Sequence, residues 1–315
     1  MNTTPAIHLR DLRKTFRIGF RRRRTEAVCG LDLDVAPGEV FGFFGPNGAG
    51  KTTTIKILVG LLRPDSGEAR LFDREAADPR ARSRTAYLPE LPDFYDYLTP
   101  FEFLLHCGRV SALPGREARR RVPALLEKVG LDPGERRQLR KFSKGMLQRI
   151  GLAQAMLADP DLYILDEPMS GLDPVGRRWA KDLLLELSRA GKTIFFSSHV
   201  LAEAETICNR VAFLQRGRLV GEGNLSDLLR SAAGTYEILV SGHPPLKDAG
   251  LDGAVTEMLP NGPDTLLVLK RGQAPETVLQ NLLARGCAIR SCGQRSASLE
   301  DIFLETMAAA SKREG

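Results

Sequence analysis

The sequence has 315 residues, 43% of them hydrophobic and 27% charged, with a formal net charge of +6. These values are ordinary for a globular protein, and the length suits one large domain or two unequal ones. No run approaches the ~18 consecutive apolar residues that a membrane-spanning helix needs, and the first residues lack the apolar core of a secretory signal. The 5 cysteines and 4 histidines form no zinc-like cluster. We therefore expect a cytosolic chain with reduced thiols and no structural metal.

Three blocks of basic residues make the positive charge uneven. They are Arg21–Arg24; Arg116, Arg119, Arg120 and Arg121; and Arg136, Arg137, Arg140 and Lys141. Blocks of this kind most often lie on solvated loops and helix faces. Attraction to an anionic membrane surface and to nucleic acid are the alternatives, and charge alone does not separate the three.

Hydrophobic patterning over the first 223 residues predicts alternating strands and helices. Residues 6–44 have the pattern of strands, and the short apolar run Gly38–Phe44 is typical of a strand buried on both faces. Residues 99–160 are mostly helical in pattern. Further strands are predicted at Leu162–Leu165, Thr193–Ser197 and Arg210–Leu214, with helices between them. This order predicts an α/β fold with a largely parallel sheet and flanking helices.

The composition changes near residues 224–234, and no nucleotide-type motif follows. The remaining chain still has the pattern of a folded region, with strands, one helix and a final amphipathic helix. These elements are predicted at Tyr236–Val240, Thr265–Leu269, Pro275–Arg285 and around Leu299, Ile302, Phe303 and Met307. We expect a small α+β appendage.

Residues 45–52 match the pattern G-x-x-x-x-G-K-[ST] between a predicted strand and a predicted helix, the context of a P-loop. Its glycines let backbone N–H groups turn towards phosphate oxygens, and the helix N-terminus adds a positive dipole end. Lys51 is expected to reach the β- and γ-phosphates, and the Thr52 hydroxyl to hold Mg²⁺. The candidate nucleotide-binding residues here are Gly45, Pro46, Asn47, Gly48, Ala49, Gly50, Lys51, Thr52 and Thr53.

Two acidic residues follow the apolar strand that begins at Leu162, so both carboxylates are expected at its carboxyl end, beside the phosphate site. Asp166 suits Mg²⁺, bound directly or through water. Glu167 can polarise an attacking water as a general base.

Four further features make the sequence recognisable. Phe142–Arg149 resembles the signature motif of ATP-binding cassette (ABC) proteins, and Ser170–Asp173 resembles their D-loop. Ser197–His199 ends a predicted strand and resembles the segment of the switch histidine. Phe16 stands where the family has the aromatic residue that stacks on adenine. The resemblance covers roughly residues 6–223, with its motifs in family order.

The resemblance implies a P-loop NTPase cassette at 6–230, with a helical insert at about 91–160, and an accessory domain at 234–315. Two cassettes would close head to tail, as a homodimer in the ATP-bound state, so that each ATP lies between one P-loop and the other copy's signature helix. Lys51 and Mg²⁺ would neutralise charge, Glu167 would activate water and His199 would hold the γ-phosphate. Further contacts to the nucleotide are assigned to Phe16, Glu90, Ser143, Gly145, Met146 and Asp173.

The chain departs from the family pattern at two places. Glu90 stands where the family commonly has glutamine in the loop that meets Mg²⁺ and the water; it cannot donate an amide hydrogen bond, and it adds negative charge near the metal. Lys144 and Met146 replace the commoner glycine and glutamine of the signature. Both variants resemble bacterial cassette subunits that serve separate multispan permeases, often exporters.

The implied partner is therefore a multispan membrane permease, with this chain peripheral on the cytoplasmic face of the inner membrane. The implied docking region lies between Glu90 and the helical insert. Five aromatic residues cluster there, and they form either a docking surface or the core of the insert: Phe94, Tyr95, Tyr97, Phe101 and Phe103. The alternative function is a non-transport ABC ATPase that acts on nucleic acid or ribosomes, although the sequence has no inserted coiled coil or zinc module. No specific nucleic acid partner is expected.

Overall fold

The computed structural model describes residues 4–18, 23–232, 235–242, 253–270, 272–294 and 298–313. The chain divides into two compact units, residues 1–224 with 310–315 and residues 225–309, and each unit has a hydrophobic core of its own. The domain limits 6–230 and 234–315 stay a prediction, and Gly234 lies outside the described residues.

A six-stranded sheet forms the centre of the first unit, in the order β10-β9-β3-β8-β7-β6. Neighbouring strands from β9 to β6 are parallel, and only β10 runs antiparallel, beside β9. In chain order these strands are β3 (Val40–Phe44), β6 (Thr85–Leu88), β7 (Leu162–Asp166), β8 (Thr193–Ser198), β9 (Arg210–Gln215) and β10 (Arg218–Asn224). The predicted parallel sheet is confirmed.

Every residue of β3, β7 and β8 is buried, which explains their short runs of almost uninterrupted apolar side chains. Phe41 and Phe43 of β3 both pack against Phe195 of β8, with ring centroids 5.8 and 5.3 Å apart. Asp166 of β7 and Ser197 and Ser198 of β8 stand at the carboxyl ends of their strands, where the sheet meets the loops.

A second, antiparallel sheet has the order β2-β1-β4-β5. Its strands are β1 (Ile7–Ile18), β2 (Arg23–Val35), β4 (Ser66–Leu71) and β5 (Arg74–Glu75). Leu9 and Leu33 of this sheet belong to the same buried cluster as Phe41 and Ile55, so the two sheets share one core.

Seven α-helices are described in the first unit, and side chains of common N-cap types cap four of them. Asp78 caps α2 by accepting from the N–H of Arg80 at 2.8 Å. Thr99 and Glu102 form a reciprocal capping box at the start of α3, Ser143 caps α5 and Asp173 caps α6. The helices are α1 (Lys51–Leu58), α2 (Pro79–Arg82), α3 (Pro100–Val110), α4 (Gly115–Lys128), α5 (Lys144–Met156), α6 (Pro174–Arg189) and α7 (Leu201–Ala204), with a 3-10 turn at Leu139–Lys141.

The second unit contains a four-stranded antiparallel sheet in the order β12-β13-β11-β14. Its elements are α8 (Leu225–Ala232), β11 (Tyr236–Ser241), β12 (Val255–Asn261), β13 (Asp264–Leu269), α9 (Pro275–Ala284), β14 (Ile289–Gln294) and α10 (Leu299–Arg313). Val278 and Leu282 of α9 pack with Ile238, Val240 and Leu267 in its core. The unit is therefore an α+β fold, as the pattern predicted.

Among the described residues, no helix combines the length and the apolar character needed to cross a membrane. The side chains of the second and third basic blocks are exposed, apart from the half-buried Arg121, which donates to the Leu157 carbonyl and to Glu117. In the first block, Arg21 and Arg22 lie outside the described residues.

Candidate functional site

Four neighbouring parallel strands bring the chemically interesting residues to one edge of the central sheet. The P-loop follows β3, His199 follows β8, Glu167 follows β7 and Glu90 follows β6. Because the carboxyl ends of parallel strands meet at the same edge, segments that are far apart in sequence become neighbours there.

The P-loop turns through two glycines with positive φ, Gly48 at 80° and Gly50 at 108°. A Cβ on Gly50 would lie 2.3 Å from the carbonyl oxygen of Ala27, so only glycine fits at this position. Helix α1 begins directly after it, and no side chain caps its first N–H groups, in contrast to α3, α5 and α6. This N-terminus therefore presents backbone donors and a positive dipole end to an anion.

Lys51 lies at the floor of the P-loop and is only 7% exposed. Its Nζ donates to the carbonyl of Gly45 at 2.6 Å and lies 3.7 Å from Oε1 of Glu167. Burial lowers the pKa of Lys51, while the negative charges of Glu167, Asp166 and Glu90 act to raise it. The ammonium group is thus held among acceptors at the point where the loop turns.

Glu167 has a φ of 51°, the left-handed region that costs a residue with a side chain about 1–2 kcal/mol. Its backbone N–H donates to the Ser197 carbonyl at 3.2 Å and to the Ser197 hydroxyl at 3.1 Å. Its Oε2 lies 2.9 Å from Nδ1 of His199. Backbone strain held by surrounding contacts is typical of functional positions, and here it directs the carboxylate to a place between Lys51 and His199.

Asp166 is 1% exposed and accepts a hydrogen bond from the Ser197 hydroxyl at 2.6 Å. Burial, together with the charge of Asp166, raises the pKa of Tyr87 to about 12, so this phenol stays protonated. Ser197 thus contacts both acidic residues of the motif and fixes their relative position.

The turn that carries His199 is braced by Ser198, whose hydroxyl donates to Glu203 at 2.8 Å and accepts from the N–H of Val200 at 3.0 Å. Burial raises the pKa of Glu203. The imidazole itself remains 54% exposed, so it can meet a ligand from solution while its ring stays beside Glu167.

A cleft of about 490 Å³ collects most of the residues that the sequence predicts for the site. Its lining comprises Phe16, Ala27, Pro46, Asn47, Gly48, Ala49, Gly50, Lys51, Thr52, Thr53, Glu90, Glu167 and His199. Gly45 is buried beneath the loop, where its carbonyl accepts from Lys51. Asp166 is buried behind the cleft and is not part of its lining.

The signature and D-loop residues are outside this cleft. Ser143 accepts from the N–H of Met146 at 3.3 Å, so both belong to the N-terminal turn of α5, together with Gly145. Asp173 accepts from the N–H of Gly176 at 2.7 Å and caps α6. Within one chain, Ser143 and Asp173 therefore act as helix caps.

Three residues of the site were missed at the sequence level. Ala27 lines the cleft, Ser197 contacts the acidic pair, and Gln148 is buried against the loop that follows β7. Gln148 lies in the segment that resembles the signature motif and Ser197 in the segment of the switch histidine, but the sequence analysis assigned neither residue a role. Nothing in the sequence distinguishes Ala27.

The residues present fit a nucleotide and a magnesium ion. The uncapped start of α1 and the buried ammonium of Lys51 suit phosphate oxygens, and Thr52, Asp166 and Glu90 supply the hard oxygen donors that Mg²⁺ prefers. Among the described residues, no group of three or more His, Cys, Asp and Glu side chains could hold a metal ion by itself. This donor set suits a cation that also takes oxygens from phosphate and water.

Comparison with known proteins assigns the chain to a family. The family model described as "ABC transporter" matches residues 28–170. An uncharacterized ABC transporter ATP-binding protein of Nostoc sp. PCC 7120 is 46% identical over 240 residues, 75% of this chain and 71% of the relative. The chain belongs to the ATP-binding subunits of ABC transporters. ABC cassettes are ATPases, and this ABC subunit binds and hydrolyses ATP.

Two further similarities extend the match. The Nod factor export ATP-binding protein I of Cupriavidus metallidurans is 37% identical over 307 residues, which cover 96% of the ABC subunit and 97% of the relative. A solved bacterial ABC transporter cassette, described as dimeric, is 25% identical with a TM-score of 0.62 and covers 70% of this chain and 98% of that one. The expected cassette fold is therefore confirmed.

Proposed function

We propose that Lys51, Glu167 and His199 carry out ATP hydrolysis in this ABC subunit, with Phe16 stacked on adenine. The observation that carries the proposal is the position of the Glu167 carboxylate, 3.7 Å from the Lys51 ammonium and 2.9 Å from the His199 ring, at the mouth of the P-loop. Mg²⁺ would be held by Thr52, by Asp166 and by Glu90, and would neutralise charge on the phosphates.

The chemistry assigns one task to each side chain. Glu167 accepts a proton from the attacking water, whose oxygen bonds to the γ-phosphorus as the bond to the β–γ bridging oxygen breaks, so that ADP and phosphate leave. Lys51 stabilises negative charge on the phosphates from the floor of the loop. His199 holds the γ-phosphate from the opposite side. Because His199 also contacts Glu167, the position of the Glu167 carboxylate would depend on whether a γ-phosphate is bound.

We propose further that two copies close on ATP. Ser143, Gly145 and Met146 form a helix N-terminus outside their own cleft, and Asp173 lies at the start of the next helix. A helix start of this kind favours an anion, and the similar bacterial cassette is described as dimeric. In the closed dimer each signature helix would meet the nucleotide of the other copy.

The assignment to export through a separate membrane permease rests on relatives named for export and on the variant signature residues Lys144 and Met146. The permease would hold this chain at the cytoplasmic face of the inner membrane, and closure of the ATP dimer would switch the access of the permease from one side to the other. The substrate would be selected by the permease.

The test is the variant Glu167→Gln. The amide keeps the shape of the side chain and cannot accept the proton, so the steady-state rate of phosphate release should fall by roughly 10²–10⁴-fold, the range for removal of a general base. ATP should still produce the closed dimer, measured by size-exclusion chromatography with light scattering.

The matched control is Glu127→Gln, an exposed glutamate of α4, which should hydrolyse ATP at the parental rate. Hydrolysis by Glu167→Gln at the parental rate would refute the assignment of the base, and loss of ATP binding together with hydrolysis would show that Glu167 serves the fold instead.

A further inference from the structure

The first turns of helix α5 pack against the loop that leads from β7 to α6. A Cβ on Gly145 would lie 3.5 Å from the Leu172 side chain and 3.6 Å from the Gly171 carbonyl, so the two backbones are in close approach. The aliphatic part of Lys144 lies over Gly171, and its Nζ is 3.5 Å from the Ser170 hydroxyl. The first turn of α5 and the loop between β7 and α6 are therefore in contact over several residues.

Gln148 is the polar centre of this contact. It is 1% exposed, and its Nε2 donates to the carbonyl of Pro168 at 2.9 Å, with the carbonyl of Glu167 3.5 Å away. A buried primary amide is costly unless it is hydrogen-bonded. Here the amide donates to the backbone carbonyls of Glu167 and Pro168, which directly follow the left-handed φ of Glu167.

The strained backbone of Glu167 is consequently anchored on both sides. Its own N–H is bonded to Ser197 of the central sheet, and its carbonyl accepts from the N–H of Ser170 at 3.0 Å. Gln148 is the contact from a different element, because it reaches the loop from helix α5. A shift of α5 relative to the sheet would pull on the Glu167 loop through this hydrogen bond.

We propose that Gln148 is a positioning residue for hydrolysis, which holds the backbone after Glu167 so that its carboxylate remains between Lys51 and His199. The inference rests on the proposed function, in which Glu167 is the base. It adds that α5, whose first turn is assigned to the partner's nucleotide, is coupled to the base of its own chain. Occupancy of one composite site would thereby set the geometry of the other.

The experiment compares Gln148→Met and Gln148→Leu with the parental chain. Methionine keeps the length of the side chain and leucine keeps an apolar group at the position, and neither side chain has a hydrogen-bond donor. We expect kcat to fall by about 10–100-fold, the effect of a misplaced reacting group, with KM for ATP and nucleotide affinity within about twofold. The ATP-bound dimer should still form, because neither the P-loop nor the first turn of α5 is altered.

Gln154→Met is the matched control, since Gln154 is an exposed residue of the same helix; its kcat should be parental. An unchanged kcat in both Gln148 variants would overturn the inference. Parallel changes of kcat, KM and melting temperature, or failure of both variants to fold, would also overturn it, because they indicate a purely structural role. Glu167→Gln measured alongside separates this failure from failure of the proposed function, since its kcat must fall whether or not Gln148 positions the base.

Discussion

Lys51 is a buried cation whose contacts include the carbonyls of Gly45 and Pro46 and the carboxylate of Glu167. Desolvation makes its charge expensive, and this cost is partly offset by three acidic neighbours. A triphosphate would supply much stronger compensation, because it brings several negative charges to within contact distance of Nζ. The energetic gain from Lys51 should therefore appear mainly as nucleotide affinity.

Replacing Lys51→Ala should weaken ATP binding by about 10–100-fold, the equivalent of a lost charge-assisted hydrogen bond of roughly 1.5–3 kcal/mol. The measurement is isothermal titration calorimetry with ATP. Lys56→Ala, an exposed lysine of the same helix, is the control and should bind like the parental chain. Equal affinities of the Lys51 variant and the parental chain would remove Lys51 from the binding site.

Much of the site could be predicted from sequence because its chemistry is local. The P-loop spacing and the acidic pair after an apolar strand are enough to predict Lys51, Asp166 and Glu167 as site residues. The left-handed backbone of Glu167 and its contact with Gln148 could not be predicted, since they depend on how α5 and β7 meet in space. Sequence periodicity contains no information about that approach.

At the scale of elements, the aromatic cluster of the helical insert separates into two parts. Phe103 is 4% exposed and belongs to the buried core, and the half-buried Phe94 meets it edge to face, with ring centroids 4.9 Å apart. Tyr95 and Tyr97 are 52% and 58% exposed. The core interpretation therefore holds for Phe103, Phe94 and Phe101 are half-buried, and docking stays a prediction for the exposed pair.

The elements with strong periodicity or caps were predicted well. Within the stretch 99–160, predicted as mostly helical, α5 is observed as Lys144–Met156, and the buried strand predicted at Leu162–Leu165 is observed as Leu162–Asp166. In the second unit, β12 was missed because its residues are mostly exposed and do not alternate between apolar and polar. Its place in the sheet comes from pairing with β13, which is a tertiary interaction.

Three helices of the first unit are joined through Trp179 of α6. The guanidinium of Arg149 on α5 stacks 4.1 Å from the ring centroid, and the indole N–H donates to the carbonyl of Lys128 on α4 at 3.3 Å. Arg149 also donates to the carbonyl of Val129 at 2.7 Å. The signature helix is therefore tied to its neighbours at a second point, beyond Gln148.

Trp179→Ala should lower the free energy of unfolding by about 2 kcal/mol, because it removes a cation–π contact and a hydrogen bond worth roughly 1 kcal/mol each. Trp179→Phe keeps an aromatic ring for Arg149 and should lower the free energy of unfolding by about half as much. Urea unfolding followed by circular dichroism is the measurement, since Trp179 is the only tryptophan and its fluorescence is lost. If both variants unfold at the same urea concentration as the parental chain, the contacts of Trp179 do not stabilise the fold.

At the scale of the whole molecule, the first unit has an exposed aromatic surface, formed by Tyr95 and Tyr97. Tyr95 and Tyr97 have ring centroids 6.1 Å apart, and Tyr95 also meets the ring of His106 at 5.2 Å. Tyr95 lines a groove of about 380 Å³ together with Tyr87 and Val110, and Tyr97 is not part of the lining. Exposed tyrosines next to a groove are typical of protein interfaces, so we expect the proposed permease to dock on this surface.

The double variant Tyr95→Ser with Tyr97→Ser should lower recovery of the permease by at least about tenfold, the effect of losing one interface hot spot of roughly 1.4 kcal/mol or more. The bait is the chain with Glu167→Gln and ATP, isolated from gently solubilised native membranes, and co-purified proteins are identified by mass spectrometry. ATP affinity should be unchanged, because neither tyrosine lines the nucleotide cleft.

The control is Leu61→Ser, which removes another apolar side chain, 66% exposed, from the same unit. It should leave recovery of the permease at the parental level, so that any loss is specific to the tyrosine surface. Undiminished recovery with the double variant would place docking elsewhere on the molecule. Recovery of ribosomal or DNA-bound proteins in place of a membrane protein, with the parental surface intact, would favour the non-transport class and return attention to the exposed basic blocks.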